Sequence, residues 1–160
     1  MAYRIGSGVD YHVLELGRPL WIGGVNIPHN KGAVGHSDAD VLLHAICDAL
    51  LGALALGDIG IHFPNTDMAL KGIDSKILLS KTFELIRAQN YSVVNIDSTV
   101  CLENPKIMKF SGSMRAVISR ILDCSIGDIS IKATTTEQLG FAGREEGLFA
   151  SATALLKKNE

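Results

Sequence analysis

A long apolar segment with one polar stripe is the feature that most constrains the fold of this chain. A helix capped by Ser37 or Asp38 is predicted to run to about residue 55, and apolar side chains cover most of its circumference. The exceptions are spaced four residues apart: Asp40, His44 and Asp48. They fall within a stripe roughly 80° wide. Because burying a carboxylate or an imidazole without a partner costs several kcal/mol, this stripe must face water, a partner or a ligand.

The rest of the chain intermixes shorter strands and helices. Strands are predicted at residues 3–12, 20–27, 91–102 and 128–136, with 20–27 as a hairpin or a bulged strand. Further helices are predicted from a cap at Asp74 or Ser75 to about 89, and over 108–123; residues 28–35 and 61–72 are predicted loops. Gly6 and Gly8 in the first strand allow close backbone approach, and residues 148–156 fit either a helix or a strand. We therefore expect one domain, residues 1–160, in which helices pack on a sheet.

Composition excludes several classes of function. The formal net charge is −2 and the basic residues are scattered, so no nucleic-acid surface is predicted. Cys47, Cys101 and Cys124 lack a CxxC spacing, which favours buried small hydrophobes in a reducing compartment. No apolar run reaches the ~18 residues of a membrane helix, so no membrane partner is expected. No signal-peptide pattern is seen, which favours a cytoplasmic location; a removed organelle-targeting segment is left open.

Three side chains predict a metal site. Asp10 and His12 are two residues apart, so on a strand both leave the same face, and His44 lies on the polar stripe. Two histidines and one carboxylate with an open position match a catalytic zinc site, with Mn²⁺, Co²⁺ or Fe²⁺ as alternatives. A solvated turn aspartate and a surface histidine are the competing interpretation.

Two further segments are suited to phosphate. His36 and Ser37 precede the predicted helix, whose N-terminus would attract an anion; alternatively Ser37 is only an N-cap. Thr134, Thr135 and Thr136 offer hydroxyl groups, and Glu137 offers a carboxylate for a hard cation such as Mg²⁺; a Thr-rich strand edge is the alternative.

Three weaker candidates complete the set. Arg144, flanked by glycines, could meet an anion or pair with Glu145 or Glu146. Asp58 could accept from sugar hydroxyl groups or serve a turn. The segment 104–106, which ends in Lys106, could contact a nucleobase or begin a helix.

A series of different short motifs is spread in order along nearly the whole chain. They are Arg4-Ile5-Gly6, Asp10-Tyr11-His12, Ile22-Gly23-Gly24-Val25, His36-Ser37-Asp38-Ala39-Asp40, Leu43-His44-Ala45, Gly57-Asp58-Ile59-Gly60, Phe63-Pro64, Lys71-Gly72, residues 132–137 and Leu139-Gly140-Phe141. Together they are highly specific, and through them the chain resembles the 2-C-methyl-D-erythritol 2,4-cyclodiphosphate synthases of the non-mevalonate (MEP) isoprenoid pathway. The resemblance implies a lyase that converts 4-diphosphocytidyl-2-C-methyl-D-erythritol 2-phosphate to the cyclic diphosphate and CMP.

The same resemblance implies residue roles. Asp10, His12 and His44 match zinc ligands, with a substrate phosphate oxygen in the open position, and Glu137 matches a ligand of Mg²⁺ or Mn²⁺. His36 and Thr135 match residues that stabilise the transition state. The residues implied to contact substrate are Asp10, His12, His36, Ser37, Asp58, Gly60, Phe63, Asn65, Asp67, Leu102, Lys106, Met108, Thr134, Thr135, Thr136, Glu137, Phe141 and Arg144.

The resemblance also implies an α+β fold and an assembly. The fold is a two-layer α/β sandwich with a mixed sheet and helices on one face, and its sheets face the centre of a homotrimer with sites at subunit interfaces. An isoprenoid diphosphate is implied in the central cavity, where Arg144 and Glu146 match polar groups and Val9 replaces the Phe of some relatives. Asn65 stands where Asp is common, and Gln138 where Lys is common.

Three functions are weighed. The first is the cyclase. The second is a metal-dependent phosphohydrolase with the same ligands and an attacking water. The third is a non-enzymatic α/β binding module whose stripe packs against a partner.

Overall fold

The structure, a computed structural model, describes residues 2–64 and 66–160. The described strands are β1 (Tyr3–Leu16), β2 (Leu20–Ile22), β3 (Val25–Ile27), β4 (Lys31–Val34), β5 (Tyr91–Cys101), β6 (Ile129–Thr134) and β7 (Gly147–Lys158). The helices are α1 (Val41–Ala53), α2 (Ile59–His62), α3 (Ser75–Ala88), α4 (Ser111–Ile121) and α5 (Gly140–Gly143). Short 3₁₀ turns occupy Met68–Leu70, Met108–Phe110 and Ile126–Asp128.

A five-stranded sheet in the order β4-β1-β7-β5-β6 organises the domain. Only β5 and β6 pair in parallel, and the other neighbours are antiparallel. This confirms the mixed sheet and the α+β class. The strands β2 and β3 form a separate hairpin, which is one of the two forms predicted for residues 20–27.

Helix α1 lies directly on β1 because two glycines leave room for it. A Cβ atom at Gly6 would lie 2.1 Å from the carbonyl oxygen of Ala49, and one at Gly8 would lie 2.2 Å from that of Ala45. No side chain fits at either position, so the backbones of α1 and β1 meet closely. This contact brings the polar stripe of α1 close to the β1 segment that carries Asp10 and His12.

Burial alternates along β7 and separates the two faces of the sheet. Leu148, Ala150, Ala152, Ala154 and Leu156 are buried under the helices, whereas Ser151 and Thr153 on the other face are exposed. The ambiguous last segment is therefore a strand. On β1 the same open face carries large apolar side chains that are half or more exposed: Tyr3, Ile5, Val9, Tyr11 and Val13.

Several predicted boundaries were wrong. Residues 28–35 are not all loop, since β4 pairs with the end of β1 through Val13 and Val34. Helix α1 begins at Val41, with Asp40 rather than Ser37 or Asp38 as its N-cap. The predicted loop 61–72 contains the end of α2 and a 3₁₀ turn, and the predicted helix 108–123 is a 3₁₀ turn followed by α4. Cys124 is half-buried, whereas Cys47 and Cys101 are buried as expected. Within the described residues, no helix is long and apolar enough to cross a membrane.

Candidate metal and phosphate site

The side chains of Asp10, His12 and His44 converge at one point. Oδ2 of Asp10 lies 2.9 Å from Nε2 of His12 and 3.0 Å from Nδ1 of His44, and these two nitrogens are 3.2 Å apart. β1 supplies the first two residues on one face, and α1 supplies the third across the glycine contact. The structure thus brings together the three predicted ligands from segments about thirty residues apart in sequence.

Each histidine has its outer nitrogen engaged, which leaves the inner nitrogen free for a ligand. Nδ1 of His12 donates to the carbonyl oxygen of Val34 at 3.0 Å. Nε2 of His44 lies 2.9 Å from the hydroxyl of Ser75 and 3.1 Å from that of Ser37. Metal-bound histidines in proteins almost always have such a partner on the other nitrogen.

The electrostatics of the three residues favour a cation among them. Burial works against ionisation of Asp10, but hydrogen bonds with His12 and His44 outweigh it and hold the pKa of that carboxyl well below its usual range. Burial would also lower the pKa of His44, but its hydrogen bond with Asp10 and that residue's charge raise it above its ordinary value. The ionised carboxylate of Asp10 therefore attracts positive charge to this point, and a metal ion can supply that charge in place of a proton on His44.

The donor set fits a divalent transition metal. The three ligand atoms lie within 4.8 Å of one another, so a single ion can reach all three. Two nitrogens and one oxygen, with a pocket beside them for a fourth ligand, are the donors that catalytic zinc sites use. The geometry does not by itself choose zinc over Mn²⁺, Co²⁺ or Fe²⁺.

A pocket of about 250 Å³ adjoins the three ligands. The predicted residues His36, Ser37, Gly60 and Phe63 line it, together with apolar side chains from α3 and the loop before it. Nε2 of His36 is buried and has no hydrogen-bond partner among the described residues. A buried nitrogen left open at a pocket is available to a bound ligand.

The polar stripe of α1 divides into three different roles. Only His44 joins the metal group. Asp40 is fully buried and accepts the backbone N–H groups of Gly23, Gly24 and Leu43 at 2.7–3.0 Å, so of the expected surroundings (water, a partner or a ligand) it has a partner within the protein. Asp48 accepts the N–H of Ile59 at 2.8 Å. The three carboxylate and imidazole groups are all satisfied, as burial demands.

Asp58 and Asp67 each begin a short turn. Oδ1 of Asp58 accepts from the N–H of Ile61 and caps α2, and the side chain lines a second pocket with Asp48. Oδ1 of Asp67 accepts from the N–H of Ala69. Asn65, the other predicted contact in this loop, lies outside the described residues.

The second group of predicted residues is not brought to the metal group within one chain. Thr134 pairs with Cys101, Cys101 with Phe149, and Phe149 with Tyr11, so three strand spacings, about 14 Å, separate the end of β6 from β1. The members of this group are Leu102, Lys106, Met108, Thr134, Thr135, Thr136 and Glu137.

Within that group the local contacts are consistent with one surface. The N–H of Leu102 donates to the carbonyl of Thr134 at 3.1 Å, which joins the segment after β5 to the end of β6. The hydroxyl of Thr135 donates to Oε1 of Glu137 at 2.9 Å, and Glu137 is exposed. One chain therefore presents two separate sets of functional side chains.

Phe141 and Arg144 belong to neither set. Phe141 packs against Tyr11 and Phe149, with ring centroids 6.0 and 6.2 Å away. Arg144 pairs with Glu146 through two hydrogen bonds of 3.0 Å, the salt bridge that was the alternative to anion binding. That pairing raises the pKa of Arg144 and lowers the pKa of Glu146.

The sequence did not predict three groups near the histidines, of which two contact a histidine directly and the third contacts Ser75. They are the carbonyl of Val34, the hydroxyl of Ser75 and the carboxylate of Asp38. Ser75 was predicted only as an alternative helix cap. No local pattern marks these groups, because each acts through a residue that lies far away in sequence.

The sequence matches the YgbB family over residues 3–157. The 2-C-methyl-D-erythritol 2,4-cyclodiphosphate synthase of Porphyromonas gingivalis is 58% identical over 154 residues, which cover 96% of this chain and 95% of that protein. The bifunctional IspDF of Campylobacter jejuni aligns with a TM-score of 0.95 and 40% identity, over 99% of this chain and 43% of that one. The CDP complex of IspF from Plasmodium falciparum aligns with a TM-score of 0.86 and 35% identity, over 99% of this chain and 98% of that one.

Proposed function

Since this chain belongs to the YgbB family, we propose that it is a lyase of the MEP pathway, a 2-C-methyl-D-erythritol 2,4-cyclodiphosphate synthase. An oxygen of the substrate's 2-phosphate attacks the β-phosphorus of its diphosphate. The bond from that phosphorus to the bridging oxygen breaks, CMP leaves with the bridging oxygen, and the cyclic diphosphate forms. The attacking phosphate is already an anion, so positioning and charge neutralisation suffice and no strong base is needed.

The observation that carries the proposal is the convergence of Asp10, His12 and His44 beside a pocket that His36 and Ser37 also line. We infer that these residues hold Zn²⁺ or a related divalent ion. Such an ion, when bound, neutralises phosphate charge and polarises the phosphorus centre. His36, with its open Nε2, and Ser37 line the same pocket and would contact phosphate oxygens there.

The second set of residues is proposed to bind the diphosphate and the cytidine. Glu137 would help to hold Mg²⁺ or Mn²⁺ at the diphosphate, and Thr134, Thr135 and Thr136 offer hydroxyls to its oxygens. Leu102, Lys106 and Met108 would border the cytosine, and Asp58 and Gly60 the ribose. The IspF of Plasmodium falciparum, which is similar to this chain, forms a complex with CDP, and this supports a cytidine-type substrate.

A homotrimer with sites at subunit interfaces would join the two sets. Two observations support it: the sets lie about 14 Å apart across one sheet, and the open sheet face carries the exposed apolar side chains of β1. One domain over residues 1–160 and a cytoplasmic location stay predictions. An isoprenoid diphosphate in a central cavity also stays a prediction, and there Arg144 is already paired with Glu146.

The test is an assay of products with metal analysis on the same sample. We expect CMP and the cyclic diphosphate in equal amounts, with about one zinc per subunit. A linear bisphosphate with CMP would instead show the phosphohydrolase. His44→Ala should lose both metal and turnover, whereas His62→Ala, a histidine outside the metal group, should keep its metal. Unchanged metal and activity in His44→Ala would overturn the site.

A further inference from the structure

Ser75 is a fully buried polar residue at the start of α3. Its hydroxyl oxygen lies 2.9 Å from Nε2 of His44, and the same hydroxyl donates to Oδ1 of Asp38. The backbone N–H of Ser75 donates to the other oxygen of Asp38 at 3.0 Å. Asp38 thus holds Ser75 at two points, and Ser75 contacts the metal-side histidine.

The proton positions in this chain of contacts follow from its ends. A carboxylate only accepts hydrogen bonds, so the single proton of the Ser75 hydroxyl is directed to Asp38. The hydroxyl oxygen can then only accept from His44, and the imidazole must carry a proton on Nε2. In the neutral imidazole the other nitrogen, Nδ1, is then left with a lone pair for a metal ion, at the point where it lies 3.0 Å from Oδ2 of Asp10.

Ser37 provides a weaker second contact. Its hydroxyl oxygen lies 3.1 Å from Nε2 of His44 and accepts from the N–H of Ala39 at 3.1 Å. Nothing in these contacts fixes the proton of Ser37, so Ser37 alone would permit either form of His44. The carboxylate of Asp38, acting through Ser75, is what removes the choice.

We propose that Asp38 and Ser75 are positioning residues that hold His44 in the metal-binding tautomer. The inference rests on the metal site of the proposed function and adds two residues to it. A hydrogen bond from a ligating histidine toward a carboxylate also fixes the ring orientation and strengthens the ligand, and losing such a partner typically weakens metal binding about 10–100-fold.

The hydrogen bonds from His44 through Ser75 to Asp38 form a relay, and two variants test its two outer members separately. Ser75→Ala leaves Ser37 as the remaining contact, so zinc affinity should fall about tenfold. Asp38→Asn keeps the size of the side chain but can turn its amide NH₂ toward Ser75. The serine proton is then free to point at Nε2, which moves the imidazole proton to Nδ1 and should weaken zinc binding further. Ser119→Ala is the matched control, because Ser119 is a buried serine whose hydroxyl, among the described residues, bonds only the carbonyl of Ala116.

The measurements are zinc affinity by chelator competition and the tautomer of His44 by long-range ¹H–¹⁵N NMR of the metal-free protein, at a pH at which its imidazole is neutral. We expect the proton on Nε2 in the wild type and in Ser119→Ala, and a substantial Nδ1-protonated population in Asp38→Asn. If Ser75→Ala does not fold, the tautomer in Asp38→Asn decides. Wild-type zinc binding with unchanged affinity and tautomer in both variants would overturn the relay alone. A wild type that binds no zinc would overturn the metal site itself.

Discussion

The carbonyl oxygen of Val34 lies 3.0 Å from Nδ1 of His12. Val34 belongs to a strand that no sequence pattern predicted. Val34 is the last residue of β4 and pairs with Val13, the neighbour of His12. Strand pairing therefore places a fixed backbone acceptor beside the ring. The two histidines are oriented by different means, one by a main-chain carbonyl and the other by a side-chain relay.

Gly35→Ala should disturb this arrangement directly. A Cβ atom at Gly35 would lie 2.9 Å from the Cβ of Ala39 and 3.1 Å from Cε1 of His12, so the imidazole must move. We expect zinc affinity to fall about tenfold, because the bond to Val34 is lost or bent. Competition with a chelator and the visible spectrum of the Co²⁺ form measure the effect.

Gly112→Ala is the control for that change. Among the described residues, no atom outside the neighbouring backbone of α4 lies within 4 Å of a Cβ at Gly112. Alanine there should stabilise the helix by up to about 1 kcal/mol and leave zinc affinity unchanged. Equal zinc affinity in Gly35→Ala and the wild type would show that the position of His12 does not depend on Gly35.

Much of the fold could be predicted because its signals are local. The apolar circumference of α1 required a buried helix, and Gly6 and Gly8 indicated a strand that another part of the backbone approaches closely. The strand β4 could not be predicted, since Lys31–Val34 has four residues, includes a glycine and lacks alternation. Its extended form comes from pairing with β1, which is a tertiary interaction.

The candidate site shows the same division. The spacing of Asp10 and His12 and the position of His44 on a polar stripe were sufficient to predict a metal group. The stripe was a poor guide to Asp40, because periodicity places side chains on one face without saying which residue begins the helix. The N–H groups that satisfy Asp40 come from the turn at Gly23 and Gly24, which helix periodicity does not report.

Asp48→Asn should change how stability depends on pH. Burial raises the pKa of Asp48 above its ordinary value of 3.8, and the charges of Asp58 and Asp10 add to this. The hydrogen bond from the N–H of Ile59 and the charge of His44 oppose it without cancelling it. The native state thus binds the proton more tightly than the unfolded state. The unfolding free energy of the wild type minus that of Asp48→Asn should be largest near pH 3.8 and below, and should fall as the pH rises through the native pKa.

Urea unfolding of the metal-free proteins at about pH 4 and about pH 7 measures that difference. Asp97→Asn is the control, because the hydrogen bond from Lys132 lowers the pKa of Asp97. The pH range in which Asp97 changes the unfolding free energy therefore lies below about 3.8. The wild type minus Asp97→Asn should therefore stay nearly constant over the same range. A difference for Asp48→Asn that grows with pH would contradict the burial argument.

Glu137→Gln should separate the two proposed metal sites. The substitution keeps an acceptor for the hydroxyl of Thr135 but removes the charge. We expect zinc to be retained and turnover to fall about 100-fold at limiting Mg²⁺, with partial recovery as Mg²⁺ is raised. Glu84→Gln, on an exposed position of α3, should behave as the wild type. Loss of zinc from Glu137→Gln would mean that the two sets of ligands are misassigned.

Mixing two inactive variants tests whether a site is shared between chains. His44→Ala removes the metal group and leaves Glu137 intact, whereas Glu137→Gln does the reverse. If neighbouring subunits contribute the two sets, as expected from their separation by three strand spacings, each mixed trimer should regenerate one of its three sites, about a third of the wild-type number. The assay is turnover at limiting Mg²⁺ of mixed assemblies isolated with two different tags. Activity no higher than that of the separate variants would place both sets of residues of one site in a single chain, which would require β6 and its following loop to reach β1 by a rearrangement.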